Sequence, residues 1–194
     1  NDLLKAARPV VLAINSLCGE TTSLGVYEDG YIALEMREEN NYGLRWRRPI
    51  GYRVPAYASA MGLAILAGLP LCEVERLYES ESLTLYSSQG IRTRTELLQR
   101  LPEIRSRGYA VSQGFAEGIE AIGVEIKRKP GETKAGLVVA VPTFRIDDKY
   151  RERLVDLALK SADLISYKVG GRAGEESVRS VEELSTRWSQ LKDA

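Results

Sequence analysis

Residues 119–144 read IEAIGVEIKRKPGETKAGLVVAVPTF, and the fold is decided by this stretch. Two apolar runs, Ile119 to Lys129 and Lys134 to Phe144, flank Lys129-Pro130-Gly131-Glu132-Thr133, whose Pro and Gly supply turn chemistry. The pair reads as a β-hairpin. Downstream, Asp147-Asp148 open a long helix to Val169. Its apolar stripe is Leu154, Val155, Leu157, Ala158, Ala162 and Ile165, and Gly170-Gly171 end it. Upstream, Gly108 to Ser112 is extended, whereas Arg94 to Arg107 and Cys72 to Tyr78 are helical. Tyr57 to Leu69 is rich in Ala, Met, Leu and Ile without polar interruption, so it is a helix buried nearly all round that must lie against a sheet. Further out, Thr22, Leu24 and Val26 alternate, Glu28-Asp29-Gly30 turns, and Tyr31 to Met36 continues the strand signal as a second hairpin. Tyr42 to Tyr52 is a third strand candidate, limited by Pro49 and Pro55 to an edge or a connection. The chain opens with an amphipathic helix from Leu3 to Leu17, which Pro9 should bend and Gly19 should cap.

The order α, ββ(β), ααα, βββ, α predicts an α+β domain, an antiparallel sheet with helices on its faces, rather than a parallel doubly wound one. That domain should run to about Gly170. Residues 171–194 form a polar tail in which Val178, Val181, Leu184 and Trp188 suggest one more helix, either an exposed arm for a partner subunit or a frayed terminus.

Lys plus Arg and Asp plus Glu both total 27 in 194 residues, so the net charge is zero. A module built to coat nucleic acid is usually basic, and direct DNA binding by this chain is not expected. At 44% hydrophobic and 28% charged residues, the composition is that of a folded globular chain. Histidine is absent, which removes His-based triads, His-ligated metals and imidazole switches. The two cysteines, Cys18 and Cys72, lie far apart in apolar segments, so we expect buried thiols in a reducing cytoplasm, not a disulfide scaffold. The longest strongly apolar run, Met61 to Leu71, is far short of the roughly 20 residues that span a bilayer, and no membrane partner is expected. The sequence starts at Asn1 and runs straight into helical pattern, which suggests the C-terminal piece of something longer.

Catalytic readings find little support. Thr21 after Gly19-Glu20 has no general base paired with it, and a glycine cap before a strand accounts for the segment. Glycines 108, 114, 118 and 123 lack the spacing of a phosphate cradle. Glu38-Glu39, Asp147-Asp148 and Glu175-Glu176 are consecutive acids at turns or helix starts and read as solvated charges. No metal site or cofactor is indicated. Arg45-Trp46-Arg47-Arg48 is the one polar cluster with functional character, because cations beside an indole suit a carboxylate or an aromatic ligand; a solvated edge strand is the competing reading.

Taken in order, several segments resemble the C-terminal effector-binding domain of the IclR family of transcription regulators. They are Gly19-Glu20-Thr21, the run from Pro55 to Ala67 (PAYASAMGLAILA), Leu83-Thr84, Ile104 to Val111 (IRSRGYAV), Gly118 with Ile122, and Ala140-Val141-Pro142. The resemblance spans Leu3 to about Gly170 and implies a GAF-like antiparallel sheet flanked by helices on both faces. It further implies a small organic effector held between the sheet and the small-residue helix. By resemblance the pocket positions are Trp46, Ala60, Met61, Ser112, Ile119, Ala121, Val138 and Ala140. Relatives that bind small oxoacids place a cysteine, serines and an acid where this chain has Ala121, Val138, Ala140 and Ser112, and only the Ser112 hydroxyl is kept. Tyr57 and Leu63 also replace a common His and Lys. The resemblance therefore implies a non-enzymatic sensor of an apolar or aromatic acid. Operator DNA would be bound only through an upstream winged helix-turn-helix, by a homodimer or tetramer. Two other readings are a free-standing GAF-like oligomerisation module without a ligand, and a small enzyme using Thr21 or Ser59.

Overall fold

The computed structural model describes residues 2–43, 48–174 and 176–193. The described residues form helices α1 (Asp2–Cys18), α2 (Ala60–Ala67), α3 (Leu71–Leu77), α4 (Arg94–Arg107), α5 (Asp148–Lys168) and α6 (Val181–Asp193). The strands are β1 (Thr21–Glu28), β2 (Tyr31–Glu38), β3 (Arg53–Pro55), β4 (Ala110–Ser112), β5 (Ile119–Ile126) and β6 (Ala135–Pro142). The strands make one sheet in the order β3-β2-β1-β6-β5-β4, antiparallel throughout. This is the α+β architecture expected from the pattern.

Period two in β5 and β6 divides the molecule into two cores. Ile122, Val124 and Ile126 with Leu137, Val139 and Val141 face a core shared with α1, α5 and α6. Ala121 and Val138 point to the opposite face, where α2 and α4 pack. Helix α2 approaches the sheet at Gly123: a Cβ there would overlap the backbone of Ala60 and Met61. Only a glycine lets the helix settle this low.

Local capping fixes most element ends. The Thr93 hydroxyl accepts from the Glu96 N–H at 3.0 Å and the Asp147 carboxylate from the Tyr150 N–H at 2.7 Å, while Gly108 closes α4 with φ 84°. The helix expected from Tyr57 starts later. Ser59 is extended and its hydroxyl caps the Gly62 N–H at 3.0 Å, so Ala56–Ala58 forms a separate 3-10 turn. The third strand is likewise displaced to Arg53–Pro55, because residues 50–51 turn, with Gly51 at φ 84°.

Two further expectations are corrected. Leu184 and Trp188 are 1% and 4% exposed, packed in the core formed with α1 and α5, so α6 is not an exposed arm. Arg187 pairs with Asp156 of α5 at 2.6 Å and the Arg153 guanidinium covers the Trp188 ring at 4.3 Å, which seats the helix on its own chain. Of the cysteines, Cys18 is half-buried but Cys72 is exposed, since Val74 alone is buried on the short α3; both are free thiols. Burial pushes the Cys18 thiol up to about 12, which keeps it protonated and unreactive. Among the described residues no helix is long and apolar enough to cross a membrane.

Candidate functional site

Between α2 and the sheet lies a cavity of about 90 Å³. Register builds its floor: Ser112 pairs with Ala121, and Ala121 with Ala140, so three strands present small side chains in one row. Val138 lies one step along β6, opposite Ser23 of β1. Ser59, Ala60 and Met61 at the start of α2 form the roof, and Tyr52, Val54, Phe115 and Ala116 close the sides. Seven of the eight positions named from sequence, Ala60, Met61, Ser112, Ile119, Ala121, Val138 and Ala140, thus surround one space; Trp46, with Arg45 and Arg47, lies outside the described residues.

Two arginines line the cavity: Arg48, a member of the basic cluster singled out from sequence, and Arg37, which sequence reading did not single out. The Arg48 guanidinium sits 4.5 Å from the Tyr52 ring centroid and 5.2 Å from that of Phe115, and these rings are themselves tilted at 6.3 Å. Arg37 reaches the same face through a bulge in β2. Leu24 pairs with Met36 but Gly25 with Leu34, so Glu35 is the extra residue and Leu34 and Arg37 share the cavity face. Strict alternation would have turned Arg37 to the other side. Its Nε donates to Glu39 at 2.8 Å. No Asp or Glu is among the lining residues described. The hydroxyls of Ser59 and Ser112 each accept from a backbone N–H, of Gly62 and Gly114, at 3.0 Å. Their own hydrogens remain to donate, and with Ser23 they give the cavity three serine hydroxyls beside the Tyr52 phenol and the two guanidiniums, in a wall that is otherwise apolar.

Beside the cavity is a buried ionic cluster at a segment that sequence reading took for a glycine cap before a strand. Glu20 has no exposed surface. It accepts from the Tyr150 hydroxyl at 2.9 Å, from Arg145 at 3.1 Å and from the Tyr42 hydroxyl, while Arg145 also lies 4.1 Å over the Tyr42 ring. Burial, with Glu20 adding to it, pushes both phenols well above their ordinary range. The Gly19 carbonyl accepts from the Asn41 N–H at 3.2 Å, and Asn15 donates to the Glu39 carbonyl at 2.7 Å. Residues 39–42, which follow Arg37, are thereby fastened to the end of α1. Among the described residues no group of three or more His, Cys, Asp or Glu is placed to hold a metal.

Comparison with known proteins agrees with this architecture. The chain is 28% identical over 178 residues to the HTH-type transcriptional regulator BhcR of Paracoccus denitrificans, covering 90% of this chain and 64% of that one. The C-terminal domain of the Escherichia coli regulator KdgR superposes with a TM-score of 0.78 at 26% identity, covering 88% of this chain and 99% of that structure. An IclR homolog from Microbacterium hydrocarbonoxydans, complexed with 4-hydroxybenzoate, has the same fold at 22% identity and a TM-score of 0.76, covering 87% of this chain and 68% of that one. These relatives are transcriptional regulators, not enzymes, and the chain spans under two thirds of the length of BhcR and of full-length KdgR. The model of the bacterial transcriptional regulator IclR C-terminal family matches residues 1–167, and the chain belongs to that family.

Proposed function

We propose that this domain senses a small carboxylic acid with an apolar, ring-sized body, and that the acid is held in the cavity between α2 and the sheet. The observation that carries this reading is the described lining: two guanidiniums, that of Arg48 and that of the Glu39-paired Arg37, and no carboxylate, set in a wall that is otherwise apolar apart from three serines and the Tyr52 phenol. A monoanion gains charge-assisted hydrogen bonds there. A two-carbon oxoacid would leave oxygens facing Ala121, Val138 and Ala140, at about 1–3 kcal/mol for each unpaired group. The volume of about 90 Å³ is several times the roughly 10–15 Å³ needed by one water and approaches the roughly 150 Å³ at which an engineered core cavity takes benzene. Met61 in the roof can change rotamer to make up the difference. The serine hydroxyls suit a second polar group on the ring, and a protein of the same fold does hold 4-hydroxybenzoate.

In the whole protein the sensor would act in the cytoplasm, as a homodimer or tetramer, on operator DNA held by an upstream winged helix-turn-helix. The alternative is the ligand-free oligomerisation module, and titration separates the two. Calorimetry with benzoate, 4-hydroxybenzoate, glyoxylate and pyruvate should give tighter binding of the ring acids, abolished by Ala121→Phe, which fills the cavity from its floor, with unfolding still cooperative. Preference for glyoxylate, or no binding of any acid, overturns the reading.

A further inference from the structure

A second depression lies against the cavity. It measures about 430 Å³ and shares Arg37, Phe115, Ala116, Ile119 and Ala140 with it. Its floor is the same sheet face continued: Ala121 pairs with Ala140 under the cavity, and the next pair on that face, Ile119 with Pro142, lies under the groove. Two residues along a strand advance about 6.6 Å, roughly the length of a four- or five-atom chain. The far wall is Phe144, a ring 80% exposed.

Charge differs sharply between the two spaces. Within the groove Arg37 is paired to Glu39 at 2.8 Å, and the Glu117 carboxylate is engaged by Ser88, whose hydroxyl is 3.0 Å away. The remaining lining is neutral and largely apolar. Among the described residues a second anionic group would find no cation there besides one already paired, whereas an uncharged extension would cover Ile119, Pro142 and Phe144. We propose that the site is bipartite and that its ligand is an elongated acid, with carboxylate and ring in the inner cavity and a neutral apolar extension of about four to six atoms lying along β5 and β6 in the outer groove. This rests on the acid-sensing reading above and specifies the ligand class. It also accounts for an exposed Phe that packs in neither core.

The test is calorimetric titration of the 194-residue chain with benzoate and with 3- and 4-butoxybenzoate. At least one butoxy acid should bind tenfold or more tighter than benzoate, about 1.4 kcal/mol. Thr143→Trp, which fills the groove from a half-buried position outside the cavity, should erase that gain and leave benzoate within about twofold, about 0.4 kcal/mol. Phe144→Ala removes a solvent-exposed ring, so its folding is not at risk, and it should cut the gain while sparing benzoate. If both butoxy acids bind no tighter than benzoate, or the variants weaken all three alike, the bipartite site is wrong and the acid-sensing cavity stands. If none of the three binds, both fail together.

Discussion

Glu20 ties Tyr42 of the loop after β2 to the turn after β6 and to α5. Its carboxylate has no water contact, and its three partners come from β2's following loop, the turn after β6 and α5. Removing it would leave two phenols and a guanidinium facing an empty site. For Glu20→Ala we expect a loss of about 3 kcal/mol, at the low end for a broken buried ion pair because Arg145 is partly exposed. Glu20→Gln, which keeps acceptor capacity, should cost less. Urea unfolding checks both, and a loss under about 1 kcal/mol for the alanine would show that Arg145 and the phenols find water instead. None of this was legible beforehand. Gly19-Glu20-Thr21 reads as a cap, and Gly19 is one, but the partners of Glu20 stand 22, 125 and 130 positions away. Sequence period says which face a residue occupies and is silent on which distant groups meet it.

At the scale of elements, α2 is set by one close approach. Because Gly123 carries the backbone of Ala60 and Met61 directly on its Cα, Gly123→Ala must push the helix off the sheet. We expect about 3 kcal/mol of destabilisation, the upper part of the range for overpacking, together with weaker binding of ring acids because the cavity roof moves with α2. A thermally unaltered variant would contradict the packing described. The cavity floor was readable from alternation and family pattern, and its small residues do lie on one face. Arg37 was not, since one inserted residue in β2 reverses the alternation after Leu34, and a bulge leaves no mark that period-two reading detects. Helix α6 is the opposite case. Its apolar stripe was plain, but the stripe alone did not say what it covers. Trp188→Ala should cost about 3 kcal/mol or more by calorimetric melting with no change in sedimentation, as for any large core side chain. Dissociation of an oligomer without loss of domain stability would restore the arm.

Over the whole molecule, burial raises the phenol pKa of Tyr27, Tyr42, Tyr57, Tyr78, Tyr86 and Tyr150 above the ordinary value of 10.0. The sign follows from linkage: the folded state holds these protons more tightly than the unfolded chain, so their stabilisation is complete below pH about 10 and is lost progressively as the pH rises above it. Equilibrium unfolding from pH 8 to 12 should therefore show stability falling beyond pH about 10, and Tyr150→Phe should flatten that fall. A rise in the same window would refute the assignment. The element order, the antiparallel hairpins, the sided helices and the balance of 27 positive and 27 negative charges are legible in the sequence, because they follow from local period, turn chemistry and composition. Where Arg37 and Arg48 point, what buries Glu20, that α6 folds back on its own chain, and that the cavity opens beside a groove depend instead on packing between distant elements. Each of these is a meeting of side chains from strands and helices far apart in the chain, fixed by register, a bulge and the depth of helix seating, and such distances have no local period to betray them.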